Sequence, residues 1–178
     1  MKRREGYLIL EISISMLITS IVLIILYSLL FTSMNMYKRI YSSIEIQQQG
    51  LEIQKHMEKE LSGDIEITNV KTENSQILTG NEFELTKVKS IYYKSKTNLE
   101  CNDCDELFLN KKTKKLFIKR MGYKSGYEVG DYIDDIYISK EKDGRIVNIK
   151  LELSKNKQKH CIEFSIYNDD IGELVWKI

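Results

Sequence analysis

Few residues in this chain have the type and spacing to do chemistry. Cys101-Asn102-Asp103-Cys104 is a C-x-x-C, and His160-Cys161 lies far off in sequence. Together Cys101, Cys104, His160 and Cys161 are an acceptable zinc set. Yet adjacent His160 and Cys161 would point to opposite faces of a strand. For an exported domain a local Cys101–Cys104 disulfide with Cys161 free ranks higher. A redox site ranks lower, because no helix of a thioredoxin-like unit follows the motif. Acidic residues cluster at Glu100, Asp103, Asp105 and Glu106, at Asp131, Asp134 and Asp135, and at Asn168, Asp169 and Asp170. Their oxygens suit calcium, but none has EF-hand spacing, so solvated loops rank above a calcium site. Lys111, Lys112, Lys114, Lys115, Lys119 and Arg120 make a basic ridge. Lysines at a strand edge discourage aggregation, and that role ranks above contact with nucleic acid. The histidines are His56 and His160 alone, and no nucleophile elbow, P-loop or dinucleotide fingerprint occurs. These residues point away from an enzyme and from a resident cofactor, calcium and zinc included.

The remaining chemistry-bearing residue is Glu11, and its setting is unusual. From Ile12 to Phe31 the chain carries no charge. Those residues span about 30 Å as a helix, the thickness of a hydrocarbon core. Ser13, Ser15, Thr19, Ser20, Tyr27 and Ser28 interrupt the run, but such hydroxyls bond back to their own helix. Lys2-Arg3-Arg4 precedes it, which places the N-terminus in the cytoplasm and the rest outside. A carboxylate at the start of a membrane span costs about 2–4 kcal/mol and calls for a partner. A cleaved secretory signal fits poorly, since the apolar run is long and the chain has no alanine for an A-x-A site.

The order is a basic leader, Gly6, an aromatic at Tyr7, Leu8-Ile9-Leu10, Glu11 and then about twenty apolar residues. It resembles the N-terminal signature of type IV pilins and type II secretion pseudopilins. The resemblance implies cleavage after Gly6 by a prepilin peptidase (residues 1–6 being the leader) and N-methylation of the new terminus at Tyr7. It implies that Glu11 sets subunit register in a filament. Tyr7 stands where Phe is commoner, Leu8 where Thr is common, and Glu5 is an odd leader residue. The proline that many major pilins carry in this helix is absent, which favours a minor pilin or pseudopilin.

Beyond the apolar run, Asn35 to Ser62 keeps helical spacing. Tyr37, Ile40, Ile44 and Leu51 form one row, and Ile46, Ile53, Met57 and Leu61 a second. Gly50 weakens this helix by about 1 kcal/mol relative to Ala, and Gly63 is placed as its C-terminal cap. Residues 7–34 therefore read as the transmembrane half and 35–63 as the amphipathic outer half. From Asp64 to Ile178 the period falls to two. Ile65/Ile67, Phe83/Leu85, Val88, Ile91-Tyr92-Tyr93 and Ile133 to Ser139 read as strands. Leu107–Leu109 and Leu116–Ile118 flank a hairpin turn, and Ile146–Leu153 returns through Cys161–Tyr167. Gly122 to Gly130 reads as a loop. Such strands are mostly antiparallel, one face to the helix and one to water.

The expected fold class is α+β: a pilin-like lollipop, one long N-terminal helix on an antiparallel β-sheet. The order of elements also resembles the J-type minor pseudopilins. Lys plus Arg number 27 and Asp plus Glu 26, and without residues 2–5 and Glu11 each sign counts 24. A neutral exported part lacks the basic balance of a nucleic-acid binder. The resemblance implies as partners the peptidase, other pilin subunits and the membrane. It implies a single-pass protein of the cytoplasmic membrane, its C-terminal domain outside, that joins an extracellular or periplasmic filament. Two other readings stay open: a membrane-anchored exported binding domain, and a competence-pilus component that contacts DNA.

Overall fold

A computed structural model describes residues 2–62, 65–80, 82–95, 104–142 and 144–167. Helix α1 covers Lys2–Leu61. Nine strands follow: β1 (Ile65–Thr72), β2 (Ile77–Thr79), β3 (Phe83–Ser95), β4 (Asp105–Asn110), β5 (Lys115–Lys119), β6 (Tyr127–Gly130), β7 (Ile133–Glu141), β8 (Ile146–Lys155) and β9 (Gln158–Tyr167). The chain divides into two compact units, residues 1–41 and 42–178.

The first unit is helix alone. Every residue from Tyr7 to Tyr41 is exposed, so its Ile, Leu, Val and Met side chains lack protein cover. The polar interruptions are absorbed as expected. Ser13, Thr19 and Ser20 each donate at 2.8 Å to the carbonyl four residues earlier, and Thr32 does so at 2.9 Å. A hydroxyl satisfied in this way no longer opposes an apolar environment.

The second unit is the α+β fold. Its helical part, from Ser42 to Leu61, packs on an antiparallel sheet. Strand β3 organises that sheet. Its first half registers with β7 (Val88 with Ile136) and its second half with β4 (Ile91 with Leu107). β1 pairs along β3 from Val88 to Ser95, and β2 lies beyond β1. Hairpins extend both ends, β4-β5-β6 and β7-β8-β9. All pairs are antiparallel. Alternation then decides the faces. Val147, Ile149, Leu151 and Leu153 on β8, with Ile162, Phe164 and Ile166 on β9, turn inward, while Asn148, Lys150 and Glu163 turn out.

The helix meets this inner face through the stripe Ser42, Ile46, Gly50, Ile53, Met57 and Leu61. That is the second of the two apolar rows. The first row is open: Ile40, Ile44 and Leu51 are each more than half exposed. Gly50 sits inside the buried stripe, where a Cβ would stand 2.1 Å from Cδ1 of Ile162. The glycine is thus a contact point between helix and sheet as well as a helix weakness. Gly130 plays the same part from the sheet side, its missing Cβ leaving room for Ile53.

Polar clamps flank the stripe. Asn156 donates to Ser42 at 3.0 Å, and the backbone N–H of Asp131 to Gln49 at 3.3 Å. Lys155 pairs with Glu45 and donates to the Tyr132 hydroxyl at 2.7 Å, and that hydroxyl donates to Glu45 at 3.1 Å. Tyr132 reaches Glu45 from a left-handed backbone (φ 67°), a conformation that costs a bulky residue about 1–3 kcal/mol. At the far end Arg120 holds both oxygens of Glu60 at 3.0 Å. The structure differs from the sequence reading in two further places. Residues 127–130, read as loop, form β6 against β5, and the short β2 was not expected. Gly63 lies outside the described residues.

Candidate functional site

Gly6, Tyr7 and Glu11 all lie on α1. Tyr7 and Glu11 are exposed and four residues apart, which sets them on one helix face. No cation partners Glu11 among the described residues. The stretch after Glu11 is long and apolar enough to cross a membrane, and none of it is buried. An uncovered apolar helix of this length is unstable in water and suited to lipid or to other helices.

The other sequence candidates disperse. Cys101 lies outside the described residues, so the Cys101–Cys104 pair does too. Cys104 is half-buried, its Sγ 3.6 Å from the Thr68 hydroxyl. Cys161 is exposed on β9, and burial pushes its thiol above the usual range. Among the described residues no group of three or more His, Cys, Asp or Glu could hold a metal ion. Glu100, Asp103, Asn168, Asp169 and Asp170 lie outside them. His56 is exposed on the helix, its ring 6.3 Å from that of Tyr127.

The basic ridge and the acidic cluster at 131–135 are one structure. Lys114 meets Asp134 at 2.6 Å, and Lys115 meets Glu128 at 2.7 Å and Asp131 at 3.3 Å. Lys111 pairs with Glu73 and, at 3.2 Å, with Asp135, which Lys87 holds at 2.8 Å. The bonds from Lys111 and then Lys87 draw the Glu73 carboxyl below its usual value. Burial pushes Asp134 up, but Lys114 and Ser154 bring it below the ordinary range. With Arg120 on Glu60, only Lys112 and Lys119 of the ridge lack a carboxylate among the described residues. Exposed pairs of this kind add little stability each. They do neutralise most of the ridge and leave Lys112 and Lys119 as its cations without a partner among the described residues.

A different surface was not legible in the sequence. On the outer face of β4 and β5, Phe108 registers with Phe117, and their rings stack at 5.4 Å and 17°. Lys71, Lys89, Lys119 and Lys124 surround them and line a groove of about 480 Å³. These lysines come from two strands that are neither Phe's own, from the end of β5 and from a loop. Only the cross-strand register brings them together.

Fold and N-terminal helix together define a class: an α+β protein whose leading helix is compatible with a membrane anchor. The chain matches no known protein-family model, no curated protein and no solved structure.

Proposed function

We propose that this chain is a minor pilin or pseudopilin, a non-enzymatic structural subunit of a type IV pilus or type II secretion pseudopilus. A prepilin peptidase cuts it after Gly6 and methylates the amine of Tyr7. The apolar part of α1 anchors it in the cytoplasmic membrane, with residues 42–178 outside, until it enters the filament. The reading is carried by one juxtaposition: Gly6, Tyr7 and Glu11 at the head of an apolar helix that is exposed from Tyr7 to Tyr41. Exposed apolar surface of that extent calls for lipid first and neighbouring helices afterwards. In the mature chain the Tyr7 amine and the Glu11 carboxylate are the charges at that end. Pairing across subunits fixes the axial stagger, because sliding by a turn leaves both unpaired in a low-dielectric core.

Mass spectrometry of the protein from its native host tests this. N-methyl-Tyr7 at the mature terminus is the expected result. An intact Met1 in a host with an active prepilin peptidase overturns it and leaves a membrane-anchored binding domain.

A further inference from the structure

We propose that the outer face of β1, β3, β4 and β5 binds single-stranded nucleic acid without strong sequence preference. The inference stands on the groove and holds whether or not the chain enters a filament. One transverse row crosses the four strands: Lys71 registers with Ser90, Ser90 with Phe108, and Phe108 with Phe117. The two rings are half-buried, line the groove and stack on one another, so each has one face left for a base. Two aromatic rings on adjacent strands of an open sheet face form a stacking platform for bases splayed from their strand.

The rim supplies the complementary charge. Lys71, Lys89, Lys119 and Lys124 have no carboxylate partner among the described residues, whereas Lys87, Lys111, Lys114, Lys115, Lys150 and Lys155 all have one. Among the described residues the carboxylate that lines the groove is Glu106, which already accepts the Tyr92 hydroxyl at 3.0 Å, and Glu128, opposite Phe117 in the register, is held by Lys115 at 2.7 Å. Four cations against engaged anions favour a phosphate backbone. Apolar rings between them favour bases. A duplex keeps its base faces stacked inside and offers the rings nothing, so the single strand is the better occupant.

The test uses the full chain in detergent micelles and a fluorescent oligothymidine of about twelve nucleotides, within the span such sites cover. Fluorescence anisotropy is read across a salt series. Binding is expected, and the slope of log affinity against log salt should fall by about 0.7 for each of Lys89, Lys119 and Lys124 replaced by Gln. Phe108→Leu and Phe117→Leu keep apolar bulk and should each weaken binding roughly tenfold with the salt slope unchanged. Inorganic polyphosphate and a duplex of equal length serve as competitors. The proposal fails if the oligothymidine does not bind at low salt. It also fails if the duplex binds more tightly, or if polyphosphate competes equally well. Should a Phe variant unfold, the lysine variants and the two competitors still decide.

Discussion

Gly130 ends β6 directly over the helix, and its missing side chain has a measurable consequence. A Cβ there would stand 2.4 and 2.5 Å from Cγ1 and Cδ1 of Ile53. Ile53 is wholly buried in the main apolar cluster, so any shift it makes presses on neighbouring core side chains. The backbone of Gly130 is one that alanine adopts, so Gly130→Ala adds no backbone strain, and the entropy that alanine removes from the unfolded chain cancels in a double-mutant cycle. Overpacking of this kind costs about 1–3 kcal/mol. Ile53→Ala opens a cavity instead and costs about 2–5 kcal/mol. In the double variant the methyl at 130 enters the space that Ile53 vacated. The two costs then cancel in part, and the double should be more stable than the sum of the singles by at least about 1 kcal/mol. Urea unfolding of the four full-length proteins in one detergent, read by circular dichroism, gives the cycle. Additivity within about 0.5 kcal/mol, the behaviour of independent sites, would refute the close approach of helix and sheet at this point.

Gly50→Ala should be milder, within about 1 kcal/mol of wild type in the same assay. The gain in helix propensity is of that size, and the obstructing atom is the terminal methyl of Ile162. Glu11→Ala should leave membrane insertion and cleavage after Gly6 intact yet reduce incorporation into the filament, scored by co-purification with neighbouring pilins. Normal incorporation would remove Glu11 as the register residue. The bond from Lys155 holds the Glu45 carboxyl below its ordinary 4.5, against a smaller opposing effect of burial, with Tyr132 adding to the lowering. A carboxylate lowered on folding stabilises above the unfolded value and loses that contribution as pH falls through the folded one. Stability measured from pH 6 downward should therefore fall less steeply in Glu45→Gln than in wild type below about pH 4.5. Equal slopes would mean that the clamp is absent in solution.

Much of the second unit was legible because its periods are clean. Ile146 to Leu153 alternates over eight residues, and the structure makes it β8, with its odd members inward. The row Ile46, Ile53, Met57 and Leu61 was equally readable. What one chain's periodicity could not decide was which of two apolar rows faces the sheet, since both have helical spacing. Gly50 held the answer: a glycine within one row marks the side where another backbone or side chain comes close. Residues 127–130 read as loop because Gly126 and Gly130 have poor strand propensity. Pairing with β5 outweighs that propensity. The ridge and the acidic cluster looked like two surfaces because they lie about twenty residues apart, and the antiparallel register folds one onto the other. The lysine-rimmed groove gathers four strands and a loop, and no spacing rule within a sequence encodes such a meeting.

The bonds from Asn156 to Ser42 and from Lys155 to Glu45 close loops of 114 and 110 residues, and Ile162 of the last strand seats against Gly50. A ribosome releases Ile46 through Leu61 long before it releases the residues that cover them. Until β8 and β9 emerge, the stripe has no native partner at that end, and uncovered apolar surface invites aggregation or proteolysis. Contacts of such long range also form slowly. The last hairpin therefore acts as a completeness check on the polypeptide. A product truncated ahead of β8 keeps the full membrane-compatible helix but lacks the strands that close its second unit, so its apolar stripe stays open at that end.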